Sequence, residues 1–574
     1  MKPVLKPCHF KLLSLALIVL SGIIVYSNTF LCSFHLDDAT SISHNPAVTD
    51  IHQWKRIWDF LPRHFILNLS FALNYHFHQL KVPGYHVFNL AVHLSSAILV
   101  WWLTLLTLST PVMKGDKITP YGNFIALFAG LIFVSHPVQT EAVTYIVQRA
   151  ASMSAFFYLA SLSLYVKSRL MENNGSIPGT GKFYYICSLL TAMMAMFTKE
   201  TAITLPLMIV LYEISFFGMK EDFKWGRLVP FLLTLFIIPV TMLLTETSAA
   251  RLQQLRSEPG ISSSHYLLTQ FRVMVTYIRL LFFPLNQNLD YDYPIFRNFF
   301  EWPVLISFIF LTAIFCLAIR HYSKYRLVSF SIFWFFLTLL PESSLLPIKD
   351  VIFEHRLYLP MAGYSIFLAG GAYYILGKND LKWMCIALIC IIFYYGILTY
   401  QRNEIWKDDV TLWNDAVIKS PHKARPYNYR GVAYIEKNEL TQAIADFTQV
   451  IALDPTLLEA YNNRAGIYAK QGKFTQAILD YNKAIELDPD MAAPYFNLAH
   501  VYIKQGRFIQ AIPLLTQVIN KKPKLAAAFY ERGMLYYQIK EYGRSWADIR
   551  QAGSLGARID PRFINALKRA SGGI

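Results

Sequence analysis

Four short polar clusters interrupt the apolar stretches of the first 400 residues, and they contain the side chains best suited to chemistry. They are the segments 35–38 (His-Leu-Asp-Asp), 135–142 (Ser-His-Pro-Val-Gln-Thr-Glu-Ala), 198–200 (Thr-Lys-Glu) and 354–360 (Glu-His-Arg-Leu-Tyr-Leu-Pro). Each cluster combines a carboxylate with His, Lys or Arg. An ionisable group at membrane depth costs a few kcal/mol unless it is paired or hydrated. The clusters are therefore candidates for function.

Each cluster also has a structural interpretation, because charges beside apolar helices are often only solvated or paired with one another. The structural alternatives are a solvated helix end at Asp37 and Asp38, a helix terminus at His136, and neutralising pairs of Lys199 with Glu200 and of Glu354 with Arg356. The occurrence of carboxylates and cations together in all four clusters favours the functional interpretation.

Carboxylates near cations on one face of a membrane suit the transfer of a sugar from a lipid carrier. A carboxylate can remove the proton from an acceptor hydroxyl as the sugar is transferred to it. Arginine and lysine can bind a lipid phosphate and stabilise it as the leaving group. The lipid tail would lie between membrane spans, which explains why such an enzyme is a membrane protein.

The composition divides the chain into an apolar part and a soluble part near residue 400. Residues 1–400 contain 49 charged residues, whereas the 174 residues from 401 onward contain 41, a density that is ordinary for soluble protein. The whole chain is 54% hydrophobic and only 16% charged, which excludes a disordered or collagen-like chain. We expect a membrane module over 1–400 and a soluble module after it.

The formal net charge of +16 does not indicate binding to nucleic acid, because neither part contains a dense block of Lys and Arg. Basic residues that border membrane spans and fix their orientation explain the charge better. The six cysteines show no metal-ligand spacing. We therefore expect the lipid bilayer rather than nucleic acid as a partner, and no metal or other cofactor.

Apolar runs long enough to cross the hydrocarbon core need about 20 residues, and they predict eleven spans. The predicted spans are 11–31, 86–108, 122–135, 150–168, 183–198, 201–217, 228–245, 301–319, 327–346, 358–376 and 383–400. Residues 265–284 are interpreted as an interfacial or re-entrant helix, because Arg272 and Arg279 share one face and arginine facing lipid is costly.

Basic residues near the N-terminus set the predicted orientation. Lys2, Lys6 and Lys11 precede or open the first span, which places the N-terminus in the cytoplasm by the positive-inside rule. Alternation from there puts all four polar clusters on the outer side of the membrane. The soluble module from residue 401 onward falls on the same side.

Residues 34 apart repeat their type in the soluble module, which predicts an array of tetratricopeptide (TPR) repeats. The residues in register are Tyr434, Tyr468, Tyr502 and Tyr536; Gly431, Ala465, Ala499 and Gly533; and Ala443, Ala477, Ala511 and Ser545. Small residues let paired helices approach closely. The predicted boundaries are a partial repeat at 401–423, four repeats over 424–559 and a capping helix at 560–574.

A repeat array of this kind presents a concave face built from the first helix of each repeat. Its inward positions include Asn428, Asn462, Phe496 and Tyr530. We expect this face to recognise an extended acceptor polypeptide. The alternative is a solvated surface whose polarity is incidental.

Six short motifs occur in order along the chain. They are Asp37-Asp38 with Ser41, Ile42 and Asn45; the run Leu69 to Tyr75; Gly84-Tyr85-His86 with Asn89 and His93; His136-Pro137 with Thr140-Glu141-Ala142-Val143; Thr198-Lys199-Glu200 with Pro206; and Arg356-Leu357-Tyr358-Leu359-Pro360. With the C-terminal repeats, they resemble the transmembrane, TPR-containing O-mannosyltransferase family of the GT-C glycosyltransferases. The resemblance covers nearly the whole chain. It implies an all-α fold, in which a polytopic bundle of membrane helices precedes a TPR α-solenoid.

The resemblance also implies substrates and site residues. The implied donor is a monosaccharide, mannose or similar, linked to polyprenyl phosphate, and the implied acceptor is a Ser or Thr hydroxyl. The implied roles are a catalytic base at Asp37 or Asp38, assistance from Glu141, donor phosphate binding by Arg356, Lys199 and Arg149, and support from His136, Glu200, Glu354 and His355. The family's Arg-Pro pair before the second span appears here as Pro62-Arg63, which leaves the role of Arg63 open.

Size and resemblance favour a bacterial inner membrane with the repeats in the periplasm, and the endoplasmic reticulum with the repeats in the lumen is the alternative. A second function is a non-catalytic, membrane-anchored scaffold in envelope assembly, although eleven spans are far more than an anchor needs. A transporter is disfavoured, because the spans show no internal repeat and no run of charges across successive helices.

Overall fold

Helices are the regular secondary structure of the residues that the computed structural model describes, which are 7–173, 179–218, 225–245, 261–344, 347–348, 350–378 and 380–572. No β-strand occurs in these ranges. The helices form two compact units, Met1–Leu412 and Trp413–Ile574. The predicted all-α fold, with apolar helices before helical repeats, is confirmed.

The first unit is a bundle of helices of very different lengths. Its helices are α1 Pro7–Val25, α2 Trp54–Phe60, α3 Phe65–His78, α4 Val82–Leu108, α5 Gly122–Ser135, α6 Thr140–Thr144, α7 Arg149–Asn173, α8 Thr180–Met196, α9 Leu205–Phe216, α10 Trp225–Leu233, α11 Ile237–Thr245, α12 Ser263–Phe282, α13 Trp302–Arg320, α14 Arg326–Leu339, α15 Pro360–Ala372 and α16 Leu381–Ile405. Helix α17, Asp409–Lys419, follows.

Five helical segments among the described residues are long and apolar enough to cross a membrane. They are Cys8–Leu31, Val82–Leu108, Trp225–Leu243, Trp302–Arg320 and Leu381–Ile405. A sixth would be the pair Thr119–Ser135 and Pro137–Thr144, which is bent by 51°. The other predicted spans fall on shorter or more polar helices, so the count of eleven stays a prediction, as does the interfacial placement of α12.

Helix α5 lies at the centre of the bundle, and its residues from Ile125 to Ser135 are all buried. A glycine in its middle lets two neighbouring helices come close. A Cβ atom on Gly130 would lie 2.6 Å from Ile18 Cδ1 of α1 and 3.3 Å from Trp101 Cβ of α4. Small residues at such crossings allow the close van der Waals packing that associates helices in membranes.

The polar clusters lie at helix ends and in short helical turns rather than inside the long helices. Three of them include 3-10 helices, at Pro137–Gln139, Glu200–Thr204 and Glu354–Leu357. Irregular backbone at membrane depth is tolerated only where protein or a watery cavity surrounds it. The side chains of these turns therefore point among neighbouring helices, where they can form a site.

The second unit consists of helix pairs that begin 34 residues apart. The pairs are α18 Ala424–Glu436 with α19 Leu440–Leu453, α20 Leu458–Lys470 with α21 Phe474–Leu487, α22 Ala492–Lys504 with α23 Phe508–Lys521, and α24 Ala526–Gln538 with α25 Tyr542–Ser554. Helix α26, Pro561–Ala570, follows where a capping helix is predicted. The segment predicted as a partial repeat contains α17.

An arginine in the first helix of three repeats forms a two-pronged ion pair with an aspartate in the second helix. Arg464 binds Asp480 at 2.8 and 2.9 Å and also donates to Thr448 Oγ1 of the preceding repeat at 3.0 Å. The same contacts recur at Arg430 with Asp446 and at Arg532 with Asp548. The third repeat has Leu498 and Leu514 at these two positions, and both lie in one apolar cluster. Both residues of the ion pair are therefore replaced together in the third repeat.

We expect Asp480→Ala to destabilise the second repeat by about 1–3 kcal/mol, because it leaves the half-buried Arg464 guanidinium without its carboxylate. Hydrogen–deuterium exchange of residues 458–487 in the full-length protein measures the effect. The matched double variant Arg464→Leu with Asp480→Leu copies the third repeat and should recover most of the protection. Unchanged exchange in Asp480→Ala would contradict this account.

Candidate functional site

In the first unit, Met1–Leu412, called the membrane unit below, the predicted polar residues join loops that are far apart in sequence. The contacts join segments 35–38 with 145–147, 141 with 355, and 354 with 287–291. The cluster 198–200 contributes a separate ion pair with 342. The fold thus gathers residues from most of the bundle's length.

The turn 35–38 buries Asp38 and uses it to hold the backbone. Asp38 Oδ2 accepts the His35 N–H at 2.9 Å, and Oδ1 accepts the Val147 N–H at 2.7 Å. Burial raises the pKa of Asp38 to about 7, against the opposing effect of these N–H groups and of the His35 ring. Because both oxygens are occupied and the side chain is shut off from solvent, Asp38 has a structural position.

Asp37 lies on the same turn but is exposed. The residue before it, Leu36, has a φ of 44°, in the left-handed region that residues other than glycine rarely adopt. The backbone N–H of Asp37 donates to Tyr145 Oη at 3.1 Å. The turn therefore presents the Asp37 carboxylate to solvent from a backbone that is held in place.

Glu141 is buried and binds His355 with both oxygens. Its Oε2 accepts the His355 N–H at 3.0 Å, and its Oε1 lies 2.7 Å from His355 Nδ1. The His355 ring also stacks on Phe353, with centroids 5.0 Å apart. The structure thus brings together two predicted residues from loops 214 positions apart in sequence.

Glu354 is buried and connects its loop to a segment that the sequence analysis did not single out. Its Oε2 accepts from Gln287 Nε2 at 2.6 Å, while its Oε1 accepts from the Asn288 N–H at 2.7 Å and from Tyr291 Oη at 2.6 Å. These bonds occupy both carboxylate oxygens. The signal for this segment is its polar run after an apolar helix, from Asn286 to Tyr293.

Lys199 and Arg356 lie near a carboxylate that sequence reasoning also missed, Glu342. Lys199 Nζ is 3.1 Å from Glu342 Oε1, and the charges of Arg356 and His355 also act on Glu342. Arg356 itself donates to the backbone carbonyl groups of residues 350 and 351 at 2.9 and 3.0 Å. A carboxylate at the end of a predicted span was the available signal for Glu342.

Arg402, at the end of α16, is a second residue that the sequence analysis did not single out. It is buried, and its charge acts on both Glu141 and Glu354. An arginine at the outer end of the last predicted span was the available signal. Arg402, Lys199 and Arg356 are thus three cations that act on the carboxylates Glu141, Glu342 and Glu354.

Arg149 lies among neutral oxygens and aromatic rings. It is fully buried, and its Nε donates to Asn89 Oδ1 at 2.6 Å. Its two terminal nitrogens donate to backbone or hydroxyl oxygens of Ser70 and Tyr85 at 3.2–3.3 Å. The rings of Phe71 and Phe88 lie 4.7 and 4.3 Å from the guanidinium carbon.

Glu200 and His136 form local contacts instead of joining the charged residues around Glu141. Glu200 pairs with Arg63 and His64, each at 3.1 Å. His136 donates from Nε2 to the Leu281 carbonyl at 2.9 Å, and its Nδ1 accepts the Val138 N–H at 3.2 Å. Arg63, whose role was open, is therefore an ion-pair partner of Glu200.

No group of three or more His, Cys, Asp or Glu side chains in the described ranges is arranged to hold a metal ion.

In the second unit, the four predicted peptide-contacting residues are each half-buried and lie on the first helices of successive pairs. They are Asn428 on α18, Asn462 on α20, Phe496 on α22 and Tyr530 on α24. Their role stays a prediction.

Comparison with known families gives matches over three ranges of the second unit. Residues 431–472 and 466–506 match the family described as TPR repeat, and residues 496–552 match the one described as tetratricopeptide repeat. The predicted repeat type is confirmed. A solved chain described as "Crystal structure of MamA" covers 25% of this chain and 85% of its own, at 21% identity and a TM-score of 0.25.

The curated relatives match most of the chain. "Protein O-mannosyl-transferase Tmtc3" of Drosophila melanogaster is 25% identical over 527 residues, covering 77% of this chain and 55% of that protein. "Protein O-mannosyl-transferase TMTC3" of Mus musculus is 26% identical over 78% of this chain and 51% of that protein. "Protein O-mannosyl-transferase TMTC2" of Homo sapiens is 24% identical over 70% and 58%.

The chain is a homologue of proteins named protein O-mannosyl-transferases. The resemblance predicted from the sequence motifs is thereby confirmed. The chain spans about half the length of these curated relatives. Because it has several helices that are long and apolar enough to cross a membrane, this chain is a multi-pass membrane protein.

The different environments of the two aspartates predict different effects on stability. Asp38→Ala leaves the His35 and Val147 N–H groups without an acceptor, and we expect a loss of about 2 kcal/mol or more. Asp37→Ala removes an exposed carboxylate, and we expect a change within about 0.5 kcal/mol. Thermal unfolding of the two variants, followed by tryptophan fluorescence, tests this difference; equal midpoints would contradict it.

Proposed function

We propose that the chain transfers a mannosyl group from a polyprenyl-phosphate donor to a Ser or Thr hydroxyl of a polypeptide on the outer side of the membrane. The observation that carries the proposal is the exposed Asp37 carboxylate on a backbone turn that buried residues hold in place. The names of the curated relatives support mannose as the sugar. Asp37 is the base that removes the acceptor proton.

Asp37 is preferred over Asp38 because a base must reach the acceptor hydroxyl. A general base works within hydrogen-bond reach of the proton that it removes. Asp38 uses both oxygens to bind backbone N–H groups and is buried, whereas Asp37 is exposed. The role left open between the two aspartates therefore goes to Asp37, with Asp38 holding the turn.

The donor phosphate is assigned to Lys199 and Arg356, joined by Arg402. Phosphate leaving groups are stabilised by preorganised cations in sites from which water is excluded. Lys199 and Arg356 share the neighbourhood of Glu342, and Arg402 acts on Glu141. Arg149 leaves the set of phosphate ligands, because it is fully buried and all three of its guanidinium nitrogens donate to neighbouring oxygens.

Glu141 and His355 act together in this proposal. The charges of Arg402 and Lys199 both attract the Glu141 carboxylate, and the charge of Lys199 also acts on His355. A carboxylate bonded to both the backbone and the ring of one histidine fixes that ring's orientation. We assign to the pair the orientation of the sugar beside the phosphate, with Glu354 and His136 supporting the loops that carry it.

An apolar groove between α12, α13, α14 and α15 supports a lipid-linked donor. It has a volume of about 290 Å³, and its lining includes Ile278, Phe282, Phe310, Phe335, Tyr364 and Phe367. A further lining residue, Leu281, accepts the hydrogen bond from His136. The groove offers an isoprenoid chain an apolar surface that begins beside the outer polar turns.

The repeats are assigned to the acceptor polypeptide. Asn428 Oδ1 is buried and has no hydrogen-bond partner among the described residues. Asn497, on the first helix of the third pair, donates from Nδ2 to Asn462 Oδ1 on the first helix of the second pair, at 3.0 Å. Side-chain amides on successive first helices offer both donors and acceptors to an extended backbone. The predicted orientation places these repeats outside the cytoplasm, in the periplasm of a bacterium.

The assignment of the base predicts that Asp37→Asn lowers kcat for mannosyl transfer by about 10²–10⁴-fold, because the amide cannot take the acceptor proton. The dissociation constant of the donor should not change. The measurement uses full-length protein in nanodiscs with polyprenyl-phosphate mannose and Ser- and Thr-containing peptides. Asp59→Asn, which alters another exposed carboxylate of the same loop, is the matched control.

Retained transfer in Asp37→Asn would remove the assignment of the base. Absence of transfer by the unaltered protein with any polyprenyl-phosphate sugar would favour the alternative of a membrane-anchored scaffold.

The role of the repeats predicts that Asn428→Ala with Asn462→Ala weakens binding of an acceptor peptide about tenfold or more, since each lost hydrogen bond contributes about 1 kcal/mol. Donor binding should stay unchanged. Asn482→Ala, on an exposed position of the second helix α21, is the matched control. Equal affinities for all three proteins would contradict peptide recognition by these asparagines.

A further inference from the structure

The His35 ring is enclosed between two groups that only accept hydrogen bonds. Its Nδ1 lies 2.6 Å from Asp409 Oδ1, and its Nε2 lies 2.7 Å from the Trp406 carbonyl oxygen. The His35 side chain is fully buried, whereas that of Asp409 is 37% exposed. A neutral imidazole has only one N–H to donate. Both contacts are satisfied together only when the ring carries two protons and a positive charge.

This ring is attached to the strained turn that presents Asp37. Leu36, between His35 and Asp37, adopts a φ of 44°, and backbone strained in this way persists only where surrounding contacts fix it. The backbone N–H of His35 is bound by Asp38. The His35 N–H thus closes the turn onto Asp38, while the His35 ring ties the turn to Asp409 and the Trp406 carbonyl.

Trp406 contacts the same turn from a second direction. Its ring stacks on Tyr145, with centroids 5.5 Å apart and planes inclined by 23°. Tyr145 Oη accepts the Asp37 N–H. Trp406 thus binds His35 through its carbonyl and supports, through its ring, the hydroxyl that holds Asp37.

We propose that His35, as an imidazolium held between Asp409 and the Trp406 carbonyl, is a positioning residue that fixes the turn from which Asp37 removes the acceptor proton. The inference rests on the proposed function, because it takes Asp37 as the base. It adds that the segment 406–409, which follows the last membrane helix, is needed to orient that base. His35 itself does not touch the substrate.

The charges around the ring agree with a protonated His35. Asp38 faces it from its own loop, Asp409 from α17 and His86 from α4. Burial lowers the pKa of His35, but the hydrogen bond and charge of Asp409 raise it more, and the net shift is upward. The contacts of the ring are therefore complete at low pH and are lost as the pH rises through this raised pKa.

The first test compares pH profiles of kcat for mannosyl transfer. In Asp409→Asn, loss of the carboxylate destabilises the imidazolium, so the alkaline limb should move to lower pH by about 1–3 units. KM for the donor should stay unchanged. Asp408→Asn is the matched control, because Asp408 accepts from Thr411 at 3.0 and 3.1 Å. A uniform loss at every pH, or no shift, would overturn the proposal.

The second test does not depend on activity. The unaltered protein is labelled at the imidazole nitrogens of histidine, and the His35 signals are identified by their absence in His35→Gln. Solid-state NMR in nanodiscs should show two protonated ring nitrogens at neutral pH, and a neutral ring would overturn the proposal. If the labelled ring is protonated but no sugar donor is turned over, the proposed function fails while the charged contact remains.

Discussion

The membrane unit is organised by the cost of burying charge, which is high unless directed hydrogen bonds satisfy the charged group. Arg149 meets this requirement with neutral oxygens and aromatic faces. Glu354 meets it with three donors from the segment 287–291. At a different point of the bundle, Arg169 and Glu213 pair at 2.7 Å. These buried charged residues thereby tie one helix or loop to another.

Asp37 differs from these residues because its carboxylate is exposed while its backbone is held. A catalytic group has to be both available to its substrate and fixed in position. Buried neighbours supply the fixing here: Asp38 binds two N–H groups, and Tyr145 binds the N–H of Asp37. The strained Leu36 belongs to the same arrangement, since strained backbone accumulates where surrounding structure over-determines it.

The repeat unit solves the burial of polar groups in a regular way. Three repeats use an Arg–Asp pair between their two helices, and one uses a pair of leucines. Replacing a partly buried ion pair by two apolar residues is often close to neutral in stability, whereas removing one partner is not. This explains why both positions differ together in the third repeat, and it leaves the first-helix residues that face away from the pair open to peptide contacts.

Periodicity and composition made much of the fold predictable. The 34-residue register predicted the helix pairs that begin at 424, 458, 492 and 526, because each repeat packs only on its neighbours and local sequence decides its structure. Apolar runs predicted where helices occur in the membrane unit. They did not decide how many cross the bilayer, because α7 and α12 bury polar residues inside the bundle and lose the simple hydropathy signal, whereas α14 is apolar but short.

The sequence by itself determined the all-α class, the repeats, the relationship to the O-mannosyl-transferases and the polar clusters that could perform chemistry. Only the tertiary structure decided which members of each cluster are buried and bound to neighbouring loops. Asp37 and Asp38 are adjacent and chemically identical, yet one is exposed and the other binds the backbone of a loop 109 residues away. Arg149 was predicted as a phosphate ligand, and Glu342 and Arg402 were not predicted at all. The physical reason is the same, because an ionisable group acquires its role from burial and from partners that are distant in sequence.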